Sequence, residues 1–149
     1  MENLNVKLHG AFTMTLVKEN GEVETTHKDN IIVNTGFDLI AKAVFNAADR
    51  PLAANQIAVG SGSVAAAVGN TTLGSQVGPR GTATYAYTPG SKIVTLSYEF
   101  GPGVSTGALT EAGIFNATTG GTMLDRVVFP VVNKGANDTL TTTFTLTMS

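Results

Sequence analysis

A chain of 149 residues suits one domain and can bury about 68–70% of its unfolded surface. It is 42% hydrophobic but only 13% charged, with a net charge of -2 and no cysteine, where ordinary domains are about 25% charged. Disorder, disulfides and thiolate metal sites are thereby excluded, and the scattered Lys and Arg lack the clustered basic footprint of a nucleic-acid binder. Thr, Gly, Ala and Val fill the place of the charges, and branched Cβ atoms favour strands.

The N-terminus, Met1-Glu2-Asn3-Leu4-Asn5, has no basic region leading into an apolar run, so it does not read as a secretory signal. Residues Met1 to Gly10 read as an N-terminal arm that orders on a neighbour. No apolar run approaches the roughly 20 residues of a membrane span. Phe12, Met14 and Leu16 alternate with Thr13 and Thr15, the pattern of a half-buried strand. Asn20-Gly21 is a hairpin signal, with a return strand from Val23 to about Val33. Thr35 and Asp38 suggest a short-armed capping box. Phe37, Ile40, Ala41, Val44 and Phe45 then follow at helical spacing, so one helix is expected over about residues 35–47.

Gln56 to Val59 reads as a short strand, and Gly60 to Ser63 as a loop. Val64 to Arg80 is rich in Ala, Gly and Thr, with weak periodicity, and reads as a long surface excursion. Thr82–Tyr87 and Lys92–Phe100 flank the turn Thr88-Pro89-Gly90-Ser91. Leu109–Phe115 and Met123–Val131 bracket a six-residue loop, Asn116–Gly121, suited to a wider hairpin. At the end, Leu140, Thr142, Phe144, Leu146 and Met148 alternate with Thr141, Thr143, Thr145 and Thr147. The expectation is a mainly β fold, an antiparallel sandwich or open barrel of roughly seven or eight strands with one short helix. Irregular segments Val64–Gly81 and Gly101–Gly107 are expected at an interface or tip.

Chemistry is sparse. Gly60-Ser61-Gly62-Ser63-Val64-Ala65 fits a dinucleotide-type glycine pattern. That pattern needs an acidic residue about 20 positions later, and none lies between Asp49 and Glu99. It reads as a glycine-rich turn, and no cofactor is expected. His9 and His27, the only histidines, lack the three or four ligands of a zinc-type site. No serine occupies a nucleophile elbow, so no enzyme is expected. Glu111 and Arg126 sit within apolar segments that would form one hairpin. A cross-strand ion pair is the favoured reading, with a charged anchor facing another subunit as the functional one.

The motif series resembles a known family. Asn30-Ile31-Ile32-Val33-Asn34-Thr35-Gly36 is followed by Ile57-Ala58-Val59-Gly60-Ser61-Gly62 and Asn70-Thr71-Thr72-Leu73. Then come Thr110-Glu111-Ala112-Gly113-Ile114-Phe115-Asn116, Gly121-Thr122-Met123-Leu124-Asp125-Arg126, and Asn133-Lys134-Gly135 with Asp138-Thr139-Leu140. From about Asn30 to the C-terminus this order resembles small tailed-phage virion structural proteins of the decoration or cement kind. More distantly it resembles the N-terminal attachment domain of phage tail-collar fibre proteins. Such fibres continue into a shaft and receptor-binding tip, whereas this sequence stops at Ser149, and it begins with its own hairpin, Ala11 to Asn30.

The resemblance implies a virion part made in the bacterial host cytoplasm. In the first reading it is a capsid decoration or cement protein. Its partners are then the major capsid protein and copies of itself, through interfaces on the order of 1,200–2,000 Å² and with cyclic symmetry. The alternative is a tail component, a fibre-docking adaptor or baseplate protein contacting tail or fibre proteins. A remote third reading, a carbohydrate-binding module or enzyme, rests on fold analogy alone. Neither nucleic acid nor membrane is expected as a partner.

Overall fold

The computed structural model describes residues 6–149. Strands β1 (Leu8–Val17) and β2 (Val23–Ile32) form the expected hairpin, paired from Gly10 with Asn30 to Val17 with Val23. Of the turn residues, Gly21 takes a positive φ of 88°, while Asn20 serves through its side chain, accepting the Glu22 N–H at 2.9 Å. Phe12, Met14 and Leu16 of β1 point inward and are buried. Leu8 to Gly10, expected within an arm, instead pair with β9 (Thr139–Met148). Lys7 and Ser149 exchange backbone hydrogen bonds at 2.6 and 2.9 Å just beyond. The rest of that expected arm, Met1–Asn5, lies outside the described residues.

Two antiparallel sheets enclose the core. One runs β5 (Thr84–Tyr87), β6 (Ile93–Phe100), β9, β1, β2. The other runs β2, β8 (Met123–Lys134), β7 (Gly107–Phe115), β3 (Gln56–Gly60), β4 (Gly81–Thr82). Two chain segments belong to both, as strands do at the corners of packed sheets. In β2, residues up to Asn30 pair with β1, while Ile31 and Ile32 pair with Arg126 and Asp125 of β8. The segment from Gly81 to Tyr87 pairs first with β3 and then, past Ala83, with β6. That split makes nine strands of the seven or eight expected, and it leaves the sheet a nearly closed barrel. Gly81 is needed there, because a Cβ at this position would run into the Tyr98 ring of β6.

The interior is aromatic at its centre. Phe12 stacks on Phe129 across the two sheets with ring centroids 5.5 Å apart, and it meets Phe144 of β9 at 4.8 Å. Thr142 lies in the apolar row of β9, fully buried, and its hydroxyl donates to the Tyr98 carbonyl at 3.1 Å. The alternate threonines 141, 143, 145 and 147 line the outer face, as alternation requires.

Helix α1 spans Asn34–Phe45, and three expectations about it are corrected. Val33 stands at its N-cap, with no side-chain cap. Thr35 is already inside the first turn and donates to the Met123 carbonyl at 2.9 Å. The helix ends at Phe45 rather than Ala47. Its buried face is not the expected stripe either: Gly36 and Leu39 are buried, while Phe37 is 52% and Phe45 85% exposed. The cause is Gly36, which is pressed against the Leu124 backbone carbonyl. This contact fixes the helix rotation. Phe37, Ile40 and Leu52 then border an open apolar cavity of about 470 Å³, floored by Leu8, Val94 and Leu146.

In an exposed helix Gly→Ala is worth roughly +1 kcal/mol. Gly36→Ala should do the opposite and destabilise by about 1–3 kcal/mol through overpacking. Gly69→Ala, whose Cβ meets nothing, should stay within about 0.5 kcal/mol of wild type. Urea midpoints of the two variants check this.

Candidate functional site

Glu111 and Arg126 lie on neighbouring strands but not directly opposite: Glu111 faces Val128, and Arg126 faces Gly113. The offset lets the longer arginine reach back. Arg126 Nε and Nη2 each sit 3.1 Å from Glu111 Oε1, and both side chains are buried, at 3% and 0% exposure. They lie on the face of β7 and β8 that turns away from the barrel interior, since Ala112, Ile114 and Val127 of the intervening positions join the core.

What buries the pair is the excursion after β3. The Gly62 N–H donates to Glu111 Oε2 at 2.6 Å, the Ser75 N–H to the same oxygen at 2.8 Å, and the Gly74 N–H to Oε1 at 2.7 Å. The Thr110 hydroxyl donates to the Gly62 carbonyl at 2.8 Å, and Arg126 Nη1 donates to Asn70 Oδ1 at 3.0 Å. The segment expected at an interface or tip is thus laced over the outside of the second sheet, with Leu73 buried beneath it. Glycine is required where the loop meets the carboxylate, because a Cβ at Gly62 would collide with Glu111. The glycine-rich run at Gly60–Ser63 therefore cradles an anion after all, but the anion is the protein's own glutamate.

Burial pushes the Glu111 carboxyl up, but the N–H groups of Ser75, Gly74 and Gly62 and the Arg126 guanidinium outweigh it and hold the group below the ordinary glutamate range. At the far end of the excursion, Arg80 lies 3.6 Å above the Phe115 ring and donates to the carbonyls of Ala117 and Gly120 at 2.7 and 2.8 Å. The Asn116–Gly121 loop is so tied to it.

A second buried carboxylate faces the other way. Asp125 precedes Arg126 on a strand, so its side chain points into the barrel. It is fully buried and accepts a hydrogen bond from Asn30 Nδ2. Burial raises it well above the ordinary aspartate value, against the Ile114 N–H and Asn30, which act to lower it. At the opposite end of the barrel, buried Lys134 donates to the Gly101 carbonyl at 2.9 Å, and Asp138 accepts the N–H groups of Gly135 and Glu19 at 2.7 and 3.0 Å. The Lys134 bond holds the start of the Gly101–Gly107 loop, also expected at a tip, and the Asp138 bonds hold the turn before β9 to the end of β1.

Both histidines sit on the exterior. His9 is 3.4 Å from Asp29, and His27 is hydrogen-bonded to the Thr13 hydroxyl at 3.1 Å. Among the described residues no group of three His, Asp or Glu could hold a metal, and no helix is long and apolar enough to cross a membrane. No family model matches the sequence, and no curated protein or solved structure matches it.

The loop donors Gly62, Gly74 and Ser75 and the pair Asn30–Asp125 were not assigned from sequence. One signal was there: consecutive charges, Asp125-Arg126, in an apolar strand must occupy opposite faces.

Breaking a buried ion pair from one side costs about 3–5 kcal/mol. Glu111→Gln and Arg126→Met should each fall in that range, and the double variant should lose less than the sum of the two, which a denaturation cycle measures. Because Glu111 titrates low in the folded protein, its contribution is present above the ordinary glutamate value and is lost as pH falls through the folded value. Glu111→Gln should therefore flatten the acid limb of the stability profile.

Proposed function

We propose that this protein is a structural component of a tailed-phage virion, a decoration or cement protein that binds the outer capsid shell and neighbouring copies of itself. The observation that carries this reading is where the family-like motifs lie. Gly62, Asn70, Glu111 and Arg126, drawn from four separate motifs, meet in one buried frame. A resemblance spread over distant segments is best supported when those segments serve one framework.

The polar groups of that frame are spent on holding loops, which favours a binding part over a catalyst. The surface adds to this. Phe37, Leu52, Val44 and Phe45 are 52%, 73%, 60% and 85% exposed, and the first two border the apolar cavity. Exposed large apolar side chains around a concavity suit a protein contact. The hydroxyl-lined outer face of β9 offers a second, neutral surface. The tail reading shares the same scaffold and is favoured by the likeness to fibre attachment domains.

Co-sedimentation of the purified protein with empty shells and with isolated tails of the parent phage separates the readings. Saturable binding to shells, in hundreds of copies, is the expected result. Binding to tails alone at a dozen copies or fewer would move the assignment to a tail adaptor, and binding to neither would overturn the virion reading. Phe37→Asp should keep the fold and weaken shell binding by about tenfold or more, the effect of losing ~1.4 kcal/mol at a contact.

A further inference from the structure

The Asn30–Asp125 contact lies where β2 leaves one sheet for the other. Asn30 is the last residue of β2 paired with β1, and the next two, Ile31 and Ile32, make the only register pairs with β8. Both side chains are buried, and Gly10 makes room for the amide: a Cβ there would come within 2.5 Å of Asn30 Oδ1.

One hydrogen bond, from Asn30 Nδ2 to Asp125 Oδ2, joins them. The two remaining oxygens, Asn30 Oδ1 and Asp125 Oδ1, are both buried without a donor. Two acceptors cannot satisfy each other, and each unsatisfied buried group costs about 1–3 kcal/mol. A proton on Asp125 shared with Asn30 Oδ1 would give both a partner.

We infer that Asp125 folds as the neutral acid, with its Oδ1–H donating to Asn30 Oδ1, so that a two-bond acid–amide pair latches β2 to β8 and loosens when the proton is removed. The surroundings supply no competing charge. From β2 come Asn30 and Ile32, from β7 the Ile114 backbone, and from β1 Gly10. On β8 itself, Arg126 points to the opposite face, toward Glu111. His9 and Asp29 lie outside on β1 and β2 and engage each other. The raised titration of Asp125 agrees with this arrangement, because burial is its largest cause and no charged neighbour enters it.

The sign of the linkage follows. A folded value above the unfolded one gives a contribution that is complete below the ordinary aspartate value and is lost as pH rises through the folded value. In that window, opening of the corner should become up to about tenfold easier for each pH unit.

Two measurements test the latch in the intact chain. Carbon-13 NMR of the Asp125 carboxyl should show it still protonated well above the ordinary aspartate value; titration at or below that value would overturn the inference. Hydrogen exchange, corrected for its intrinsic pH dependence, should show protection of the Val33 N–H, which donates to the Leu124 carbonyl at 3.1 Å, falling with pH in wild type. In Asp125→Asn, whose amide cannot ionise, protection should be insensitive to pH. Equal pH dependence in the two proteins would also overturn it, and the NMR result on wild type decides the case if the variant does not fold.

Discussion

A carboxylate taken fully out of water must be surrounded by donors, or the fold that buries it does not survive. Glu111 is such a group, and it governs the exterior of the second sheet. Three backbone N–H groups from two points of the excursion and the Arg126 guanidinium converge on its two oxygens. A segment with little periodicity of its own thereby acquires a defined path, because its amides are committed to a fixed charge. An apolar pair in place of Glu111 and Arg126 could equal them in stability. It would leave Gly62, Gly74 and Ser75 without acceptors. The ion pair is thus a device of position as much as of energy.

The barrel relies on a different economy. Closing two sheets requires strands that belong to both, and here the corners are short: Ile31–Ile32 on one side and Gly81–Thr82 on the other. Each is supported by a glycine that admits a bulky neighbour, Gly10 beneath Asn30 and Gly81 beneath Tyr98. With so few ladder bonds at the first corner, the buried Asn30–Asp125 contact has unusual leverage over whether β2 stays joined to β8. Asp125 and Arg126, adjacent in the chain, therefore do opposite things. One is turned inward and joined to an amide; the other is turned outward and paired to a carboxylate.

These internal commitments leave several large apolar side chains uncovered on the surface. Helix α1 is rotated by the approach of Gly36 to Leu124, so that Phe37 and Phe45 are not absorbed by the core. The proposal of a docking part draws on two separate things, the motif series and the apolar rim around the cavity. The first rests on the buried frame and the second on what that frame leaves uncovered.

Strand positions were legible in the sequence wherever one face is buried and the other wet. Phe12-Met14-Leu16, Val94-Leu96-Tyr98-Phe100 and the threonine-alternating C-terminus all declare their inward sides, because side chains alternate at a period of two. The proximity of Glu111 and Arg126 was legible for a related reason: two charges in the apolar strands of one hairpin have few other ways to be satisfied. The split of Gly81–Tyr87 between two sheets, the true face of α1, and the donors around Glu111 depend on residues distant in sequence. Periodicity reports how one element alternates, but not which neighbour its backbone will meet. The Leu124 carbonyl against Gly36 and the Ser75 amide on Glu111 exist only once the barrel has closed.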